Sequence, residues 1–187
     1  MILLLTLGAP SLAMRLVLQR VKSASVSVDN AVISTIGKGV VALVGLHASD
    51  TAADLRYCAK KVVQAKLWPN ENEKLWRKSV KQLGYEVLLV SQFTLYGGVA
   101  NKKHVPDFAQ SMKSEPALEA YSSFKEMVCA EYDERRIKDG VFGAMMEVAL
   151  VNDGPVTLVV DSPAAMRDDP GTAASTASGG YASERER

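Results

Sequence analysis

Ser91-Gln92-Phe93-Thr94 runs straight out of the apolar segment Val87-Leu88-Leu89-Val90. A buried strand therefore ends in three side chains able to donate or accept hydrogen bonds, grouped round one aromatic ring. Such groups can bind a ligand, hold a water or polarise a carbonyl. At a strand end they can also simply satisfy neighbouring backbone. A second unusual stretch, Asn152-Asp153-Gly154-Pro155-Val156-Thr157, separates two apolar runs, Met146 to Val151 and Val156 to Val160, both rich enough in β-branched residues to read as strands. Proline gives no amide hydrogen to a sheet ladder and glycine takes backbone angles that other residues avoid. The pair thus turns carbonyls away from regular pairing. Taken alone, it predicts an ordinary hairpin turn.

The rest of the chain restricts the chemistry by what it lacks. It contains no glycine-rich phosphate loop with its lysine, no paired-histidine helix, no spaced Cys-Cys metal motif and no Gly-x-Ser-x-Gly elbow. His47 and His104 are the only imidazoles, and neither has an acidic orienting partner nearby in sequence, which argues against a Ser-His-Asp hydrolase. No metal and no cofactor is expected. Cys58 and Cys129 fall on apolar-periodic helical segments, so they read as reduced core thiols rather than a disulfide or a catalytic pair.

The elements that must position these residues follow from periodicity. With 187 residues and 48% apolar content, one domain is expected. Strands are predicted over 15–21, 24–28 and 31–36, with Asp29-Asn30 as a two-residue turn, and over 40–46, a continuous apolar run suited to the centre of a sheet. A helix follows with Ser49 or Asp50 as its cap and Leu55, Cys58, Ala59, Val62 and Ala65 on one face, stopping by Trp68-Pro69. Residues 70–81 read as a charged, solvated excursion, with Trp68 and Trp76 as packing residues or, alternatively, base-stacking platforms. The strand at 87–90 is followed by a glycine-led loop carrying Lys102, Lys103 and His104. Ser114-Glu115-Pro116 starts a long helix with Leu118, Tyr121, Phe124, Val128 and Tyr132 on one face. Gly140-Val141-Phe142-Gly143 leads into the final strand pair. The apolar run over 1–13 lacks the positive start of a signal peptide and is too short to span a bilayer, so it is expected to be an extension outside the fold. Residues 163–187, dominated by Pro, Gly, Ser, Thr and charge, are expected to form a disordered tail. Lysine and arginine total 22 against 21 acidic residues, a net charge of +1, which excludes a protein that coats nucleic acid. Any RNA contact must come from a local patch.

Taken together, Leu18-Gln19-Arg20-Val21, Ser91-Gln92-Phe93-Thr94-Leu95 and Val151-Asn152-Asp153-Gly154-Pro155-Val156-Thr157 closely resemble the D-aminoacyl-tRNA deacylases. The resemblance runs from about Met14 to Ser162. It implies an α/β fold with a single compact domain, a mixed or barrel-like sheet and flanking helices. It further implies a cytoplasmic homodimer that acts in translation quality control, needs no cofactor and no membrane, and hydrolyses the ester of D-aminoacyl-tRNA and glycyl-tRNA. In such an enzyme the terminal ribose hydroxyl of the tRNA assists the attacking water, while the protein supplies placement and electrostatics. The resemblance places Ser91, Gln92 and Thr94 at the ester, Thr94 as a nucleophile or water-positioner, with Phe93, Phe142 and Met146 lining the pocket. It implies a cis Gly154-Pro155 bond whose carbonyls enter the pocket of a second subunit as a wall against L residues, with Arg20 holding that motif. Two departures stand out. Lys103-His104-Val105 precedes Pro106 where a glycine and a basic residue are frequent, and Val141 stands where an arginine is frequent.

Two other classes of function fit the residues. One is a non-catalytic, dimeric nucleic-acid-binding protein with Arg77, Lys78, Lys81, Lys102 and Lys103 as its patch, whose binding would be strongly salt-dependent. The other is a small-ester hydrolase acting through Ser91 or Thr94, which would cleave substrate without RNA.

Overall fold

The computed structural model describes residues 13–99 and 102–163. Strand β1 (Arg15–Val28) runs through both of the segments that the sequence separates. Asp29 and Asn30 take φ of 50° and 63° and make the tight turn into β2 (Ala31–Ile36), the left-handed pair that a two-residue hairpin requires. Then come β3 (Gly39–Gly45), α1 (Ala52–Gln64), β4 (Lys66–Trp68), β5 (Lys78–Ser79), α2 (Val80–Leu83) and β6 (Glu86–Ser91). A 3₁₀ turn (Phe93–Tyr96), α3 (Ser114–Glu131), β7 (Ile137–Asp139) and β8 (Glu147–Asp161) complete the order.

The main sheet has the order β2-β1-β3-β6-β7, with β8 also paired to β1. β1 is its spine. β8 lies antiparallel along nearly all of it, from Arg15↔Asp161 to Ser27↔Glu147, while β3 takes the other edge of its first half and β2 that of its second. β3, β6 and β7 are mutually parallel. The Ser34 hydroxyl of β2 donates to the Asp139 carbonyl of β7, so the sheet curls until it is nearly a closed barrel.

This curl explains the unbroken apolar run of β3. Val40, Ala42 and Val44 face a core shared with Leu55, Cys58 and Val62 of α1 and Phe124 and Val128 of α3. Val41 faces the barrel interior with Val21, Ala24, Val26, Ile36, Leu88 and Val90. A strand buried on both faces has no polar alternation to show. Each Val, Leu, Ile or Phe among them contributes roughly 1.5–3 kcal/mol when removed from water.

α1 begins two residues later than Ser49 suggests. Asp54, fully buried, accepts from the Thr51 amide at 2.8 Å and the Thr51 hydroxyl at 2.7 Å, which fixes Thr51 as the cap. Asp50 instead accepts from the His47 amide at 2.7 Å. Asp54 also accepts from Ser162 Oγ at 2.6 Å, and the Ser162 amide reaches the Met14 carbonyl at 2.9 Å. The two ends of the folded body are thus sewn together, with Arg15 forked onto Asp161 at 2.7 and 3.0 Å. Ala13 is buried and its carbonyl accepts from the Tyr96 hydroxyl. Apart from Ala13 and Pro163, the extension expected over 1–13 and the tail expected over 163–187 lie outside the described residues.

Candidate active site

Ser91 is the last residue of β6 and pairs with Val44 near the end of the parallel strand β3. Ligands of α/β sheets commonly bind outside the carboxyl ends of parallel strands, where backbone groups run out of partners. The Gln92 amide makes one more ladder bond, to the Val44 carbonyl at 2.8 Å, before the chain turns sharply. The turn brings Gln92 Nε2 onto Thr94 Oγ1 as a donor. Thr94 is exposed, and its hydroxyl hydrogen remains free to be given to a ligand.

The turn is held from both sides. Tyr96 is buried under it, and its phenol, pushed to higher pKa by burial and then by the charge of Asp50, stays protonated as the donor to Ala13. The Ser111 hydroxyl donates to the Phe93 carbonyl at 2.9 Å, and Phe108 meets the Phe93 ring edge-on at 5.0 Å. Phe93 itself is 58% exposed. An aromatic face presented beside polar groups suits stacking on a base or sugar.

Ser91, Gln92, Phe93 and Thr94 open into a cavity of about 620 Å³. The segment Phe142 to Met146 lines it as well, with Leu46, Met112 and Ala117. Gly140 gives this segment room: a Cβ there would lie 2.5 Å from Met146 Sδ and would push the methionine side chain out of its place in the cavity wall. Phe142 also leans on Tyr121, rings 5.6 Å apart. The structure therefore brings together six of the residues singled out from sequence, Ser91, Gln92, Phe93, Thr94, Phe142 and Met146. Sequence reasoning did not include Met112 and Ser114, because nothing in their local pattern says that the start of α3 folds against β6. A mostly apolar pocket with few polar groups at one end is the usual form of a small-ligand site.

Gly154, Pro155 and Arg20 lie elsewhere. The two apolar runs flanking Gly154-Pro155 are not a hairpin pair but one strand, β8, and the interruption is a bend where the pairing slips between Thr157↔Gln19 and Asn152↔Val21. The implied cis bond is not found, since no described peptide is cis. Gly154 at φ +65° makes the bend instead, a conformation that glycine takes without steric cost. Arg20 grips it: Nε donates to the Asp153 carbonyl at 3.0 Å and lies 3.4 Å from its carboxylate. Another guanidinium nitrogen donates to the Leu67 carbonyl. Gly154 and Pro155 are exposed and outside this chain's own cavity.

Among the described residues there is no group of three or more His, Cys, Asp and Glu that could hold a metal ion, and no helix is long and apolar enough to cross a membrane. His47 bonds Ser49 through Nδ1 at 2.8 Å and tilts against Tyr96, rings 5.3 Å apart. This ties it to the underside of the turn rather than to the cavity. The side chains that do line the cavity do not titrate near neutrality, so what the arrangement offers is placement and hydrogen bonding.

The chain was compared with known proteins. A relative from Drosophila melanogaster named D-aminoacyl-tRNA deacylase is 48% identical over 150 residues, covering 80% of this chain and 93% of that protein. One of the same name from Yarrowia lipolytica is 48% identical over 151 residues, 80% and 97% of the two chains. The human D-aminoacyl-tRNA deacylase 1 is 43% identical over 162 residues, 87% and 74%. A solved structure named c-Myc DNA unwinding element binding protein superposes with a TM-score of 0.76 at 43% identity, covering 80% of this chain and 99% of that one. A second, of a probable eukaryotic D-amino acid tRNA deacylase, has a TM-score of 0.69 at 18% identity with the same coverage, and speaks for the fold. The sequence profile described as D-Tyr-tRNA(Tyr) deacylase matches residues 17–161, which span every element from β1 to β8, and the chain belongs to that family.

Proposed function

We propose that this protein hydrolyses the ester of D-aminoacyl-tRNA, releasing the D-amino acid and free tRNA. The observation that supports it most is the meeting of Ser91, Gln92, Phe93 and Thr94 with Phe142 and Met146 round one cavity at the end of β6. In this reading Phe93 receives the terminal adenosine, and Gln92 and Thr94 hold the ester and the attacking water. The adjacent ribose hydroxyl of the tRNA activates that water, because among the described residues no basic side chain lines the cavity to do so. Water adds to the ester carbonyl, the tetrahedral intermediate expels the ribose oxygen, and that oxygen takes the proton.

Selection by handedness is assigned to the Gly154-Pro155 bend of a second copy of the chain. The bend is exposed, stiffened by the fixed φ of proline and clamped by Arg20. A backbone wall is indifferent to side-chain chemistry. It rejects any L residue whose side chain must occupy its place, and it passes glycine, so glycyl-tRNA is cleaved as well. Tenfold costs about 1.4 kcal/mol, so ten-thousandfold discrimination asks about 5.5 kcal/mol of the clash.

The test is deacylation of D- and L-tyrosyl-tRNA by the wild type and by Pro155→Ala. Rapid cleavage of the D ester alone is expected, with the variant gaining activity on the L ester. A wild type that cleaves neither ester, or a variant as selective as the wild type, overturns the reading or its gate respectively. The name of the solved relative at 43% identity, a DNA-element binding protein, favours a second reading as a nucleic-acid binder without catalysis. That alternative predicts binding indifferent to the amino acid and no hydrolysis.

A further inference from the structure

Trp76 is 50% exposed and Leu75 beside it 61%, on the excursion between β4 and β5. Trp76 has φ +60°, a left-handed conformation that bulky L residues rarely adopt. Among the described residues no ring stacks on Trp76, whereas Trp68 at the base of the same loop is buried with Tyr85 edge-on at 5.4 Å.

The loop is nevertheless stiff. Asn70 Oδ1 accepts from the amides of Asn72 at 3.1 Å and Lys74 at 2.9 Å. The Asn70 amide bonds the Lys74 carbonyl at 3.0 Å, and the Arg77 amide bonds the Trp68 carbonyl at 2.8 Å. Glu71 is held by Lys78 at 2.9 Å, so its charge is neutralised within the loop. Lys74 and Arg77, which flank Trp76 along the chain, are exposed, as is Lys66 on β4, against Glu73 of the same loop.

The loop is also tied to the Gly154-Pro155 bend. The Arg20 guanidinium spans the Asp153 carbonyl on the bend and the Leu67 carbonyl on β4, two residues of which frame the loop. One side chain thus holds both the bend and the strand that leads into the Trp76 loop.

We infer that Trp76 is an RNA-stacking residue that receives a nucleobase near the acceptor end of the tRNA while Lys66, Lys74 and Arg77 engage the neighbouring phosphates. An exposed aromatic face flanked by cations is what single-stranded or frayed nucleic acid binds, since every base has a π-face and every linkage a negative charge. This rests on aminoacyl-tRNA being the substrate. It adds a contact outside the cavity that positions the tRNA without touching the ester.

Two variants and two readouts test it. Trp76→Phe keeps a ring; Trp76→Gly removes it and relieves the left-handed backbone, and its urea midpoint checks that it is folded. Titration with uncharged tRNA is expected to quench the tryptophan emission of the wild type, and Trp76→Phe, which retains only buried Trp68, is expected to lose most of that change. In deacylation of D-tyrosyl-tRNA, Trp76→Gly should raise KM about tenfold with kcat unchanged, as expected for one stacked base. Trp76→Phe should restore most of the loss, and D-tyrosyl-adenosine, too short to reach the loop, should be cleaved equally by all three proteins. The inference falls if tRNA leaves Trp76 emission unchanged. It also falls if Trp76→Gly slows both substrates alike, or if it alters the sedimentation of the protein, which would place the ring in a protein contact. Quenching by tRNA in a wild type that hydrolyses neither ester would instead refute the catalytic reading and leave the stacking contact standing.

Discussion

Cys58 lies wholly buried on α1, its Sγ 3.9 Å from the Met14 carbonyl. Burial, reinforced by the charges of Asp50 and Asp54, pushes its thiol up to about 12, whereas a thiol in the unfolded chain titrates near ~8.5. Above that pH the unfolded chain releases a proton that the folded chain keeps. Stability is therefore constant below the unfolded value and falls as pH rises toward the folded one, by about 1.4 kcal/mol per unit. Burial shifts Tyr96 and Tyr121 upward too, which steepens the loss once free tyrosine would ionise. Urea midpoints measured across the alkaline range should be flat to about pH 8 and then decline. Cys58→Ala should flatten the first part of that decline; a decline identical in the variant would mean that another group is responsible. The residue scale also shows what sequence conveys about a site. Ser91, Gln92 and Thr94 were legible as polar groups at a strand end, but which of them meet was not. The bond from Gln92 to Thr94 depends on the 3₁₀ turn, and that turn is held by Tyr96, Ser111 and Phe108, remote residues with no local mark.

β8 is the element on which most turns. Its bend was visible in the sequence as Gly-Pro between two apolar runs, and local turn chemistry favoured a hairpin. Tertiary pairing prevailed because β1 offers an uninterrupted partner along both runs, so the chain keeps its direction and absorbs the glycine and proline as a slip in register. A Cβ at Gly154 would meet Arg20 Nη2 at 3.2 Å and would have to accept φ +65°. Gly154→Ala should therefore lower the unfolding free energy by about 1–2 kcal/mol, seen as a lower urea midpoint with an unchanged m-value. A variant as stable as the wild type would show that Arg20 and the backbone relax freely and that the bend is not a rigid wall.

At the scale of the whole molecule, the outer side of β8 is unusual. Among the described residues β8 pairs with β1 alone, and along it and just before it Met145, Val148, Val151, Leu158 and Val159 are exposed, Met145 to 94%. A long edge strand with apolar side chains invites pairing with another chain unless it is covered. The proposed second copy covers it and delivers the bend to the cavity in the same step. Sedimentation should give twice the 20.2 kDa of one chain. A Val151→Lys, Val159→Lys double variant should sediment as a single chain and lose its preference for D esters. Monomeric wild type with full selectivity would remove the second copy from the account.

Sequence alone determined the alternating and continuous apolar runs, hence the number and kind of most elements, because burial periodicity is a local property of the chain. It also determined the three polar blocks by which the family is identifiable. Only the tertiary structure decided that β1 and β8 are each one strand and that the sheet curls until Ser34 reaches Asp139. Only there does Arg20 tie the Gly154 bend to the loop carrying Trp76. These are contacts between residues far apart in the chain, set by which surfaces are left to be covered once the local elements have formed, and no short stretch of sequence contains that information.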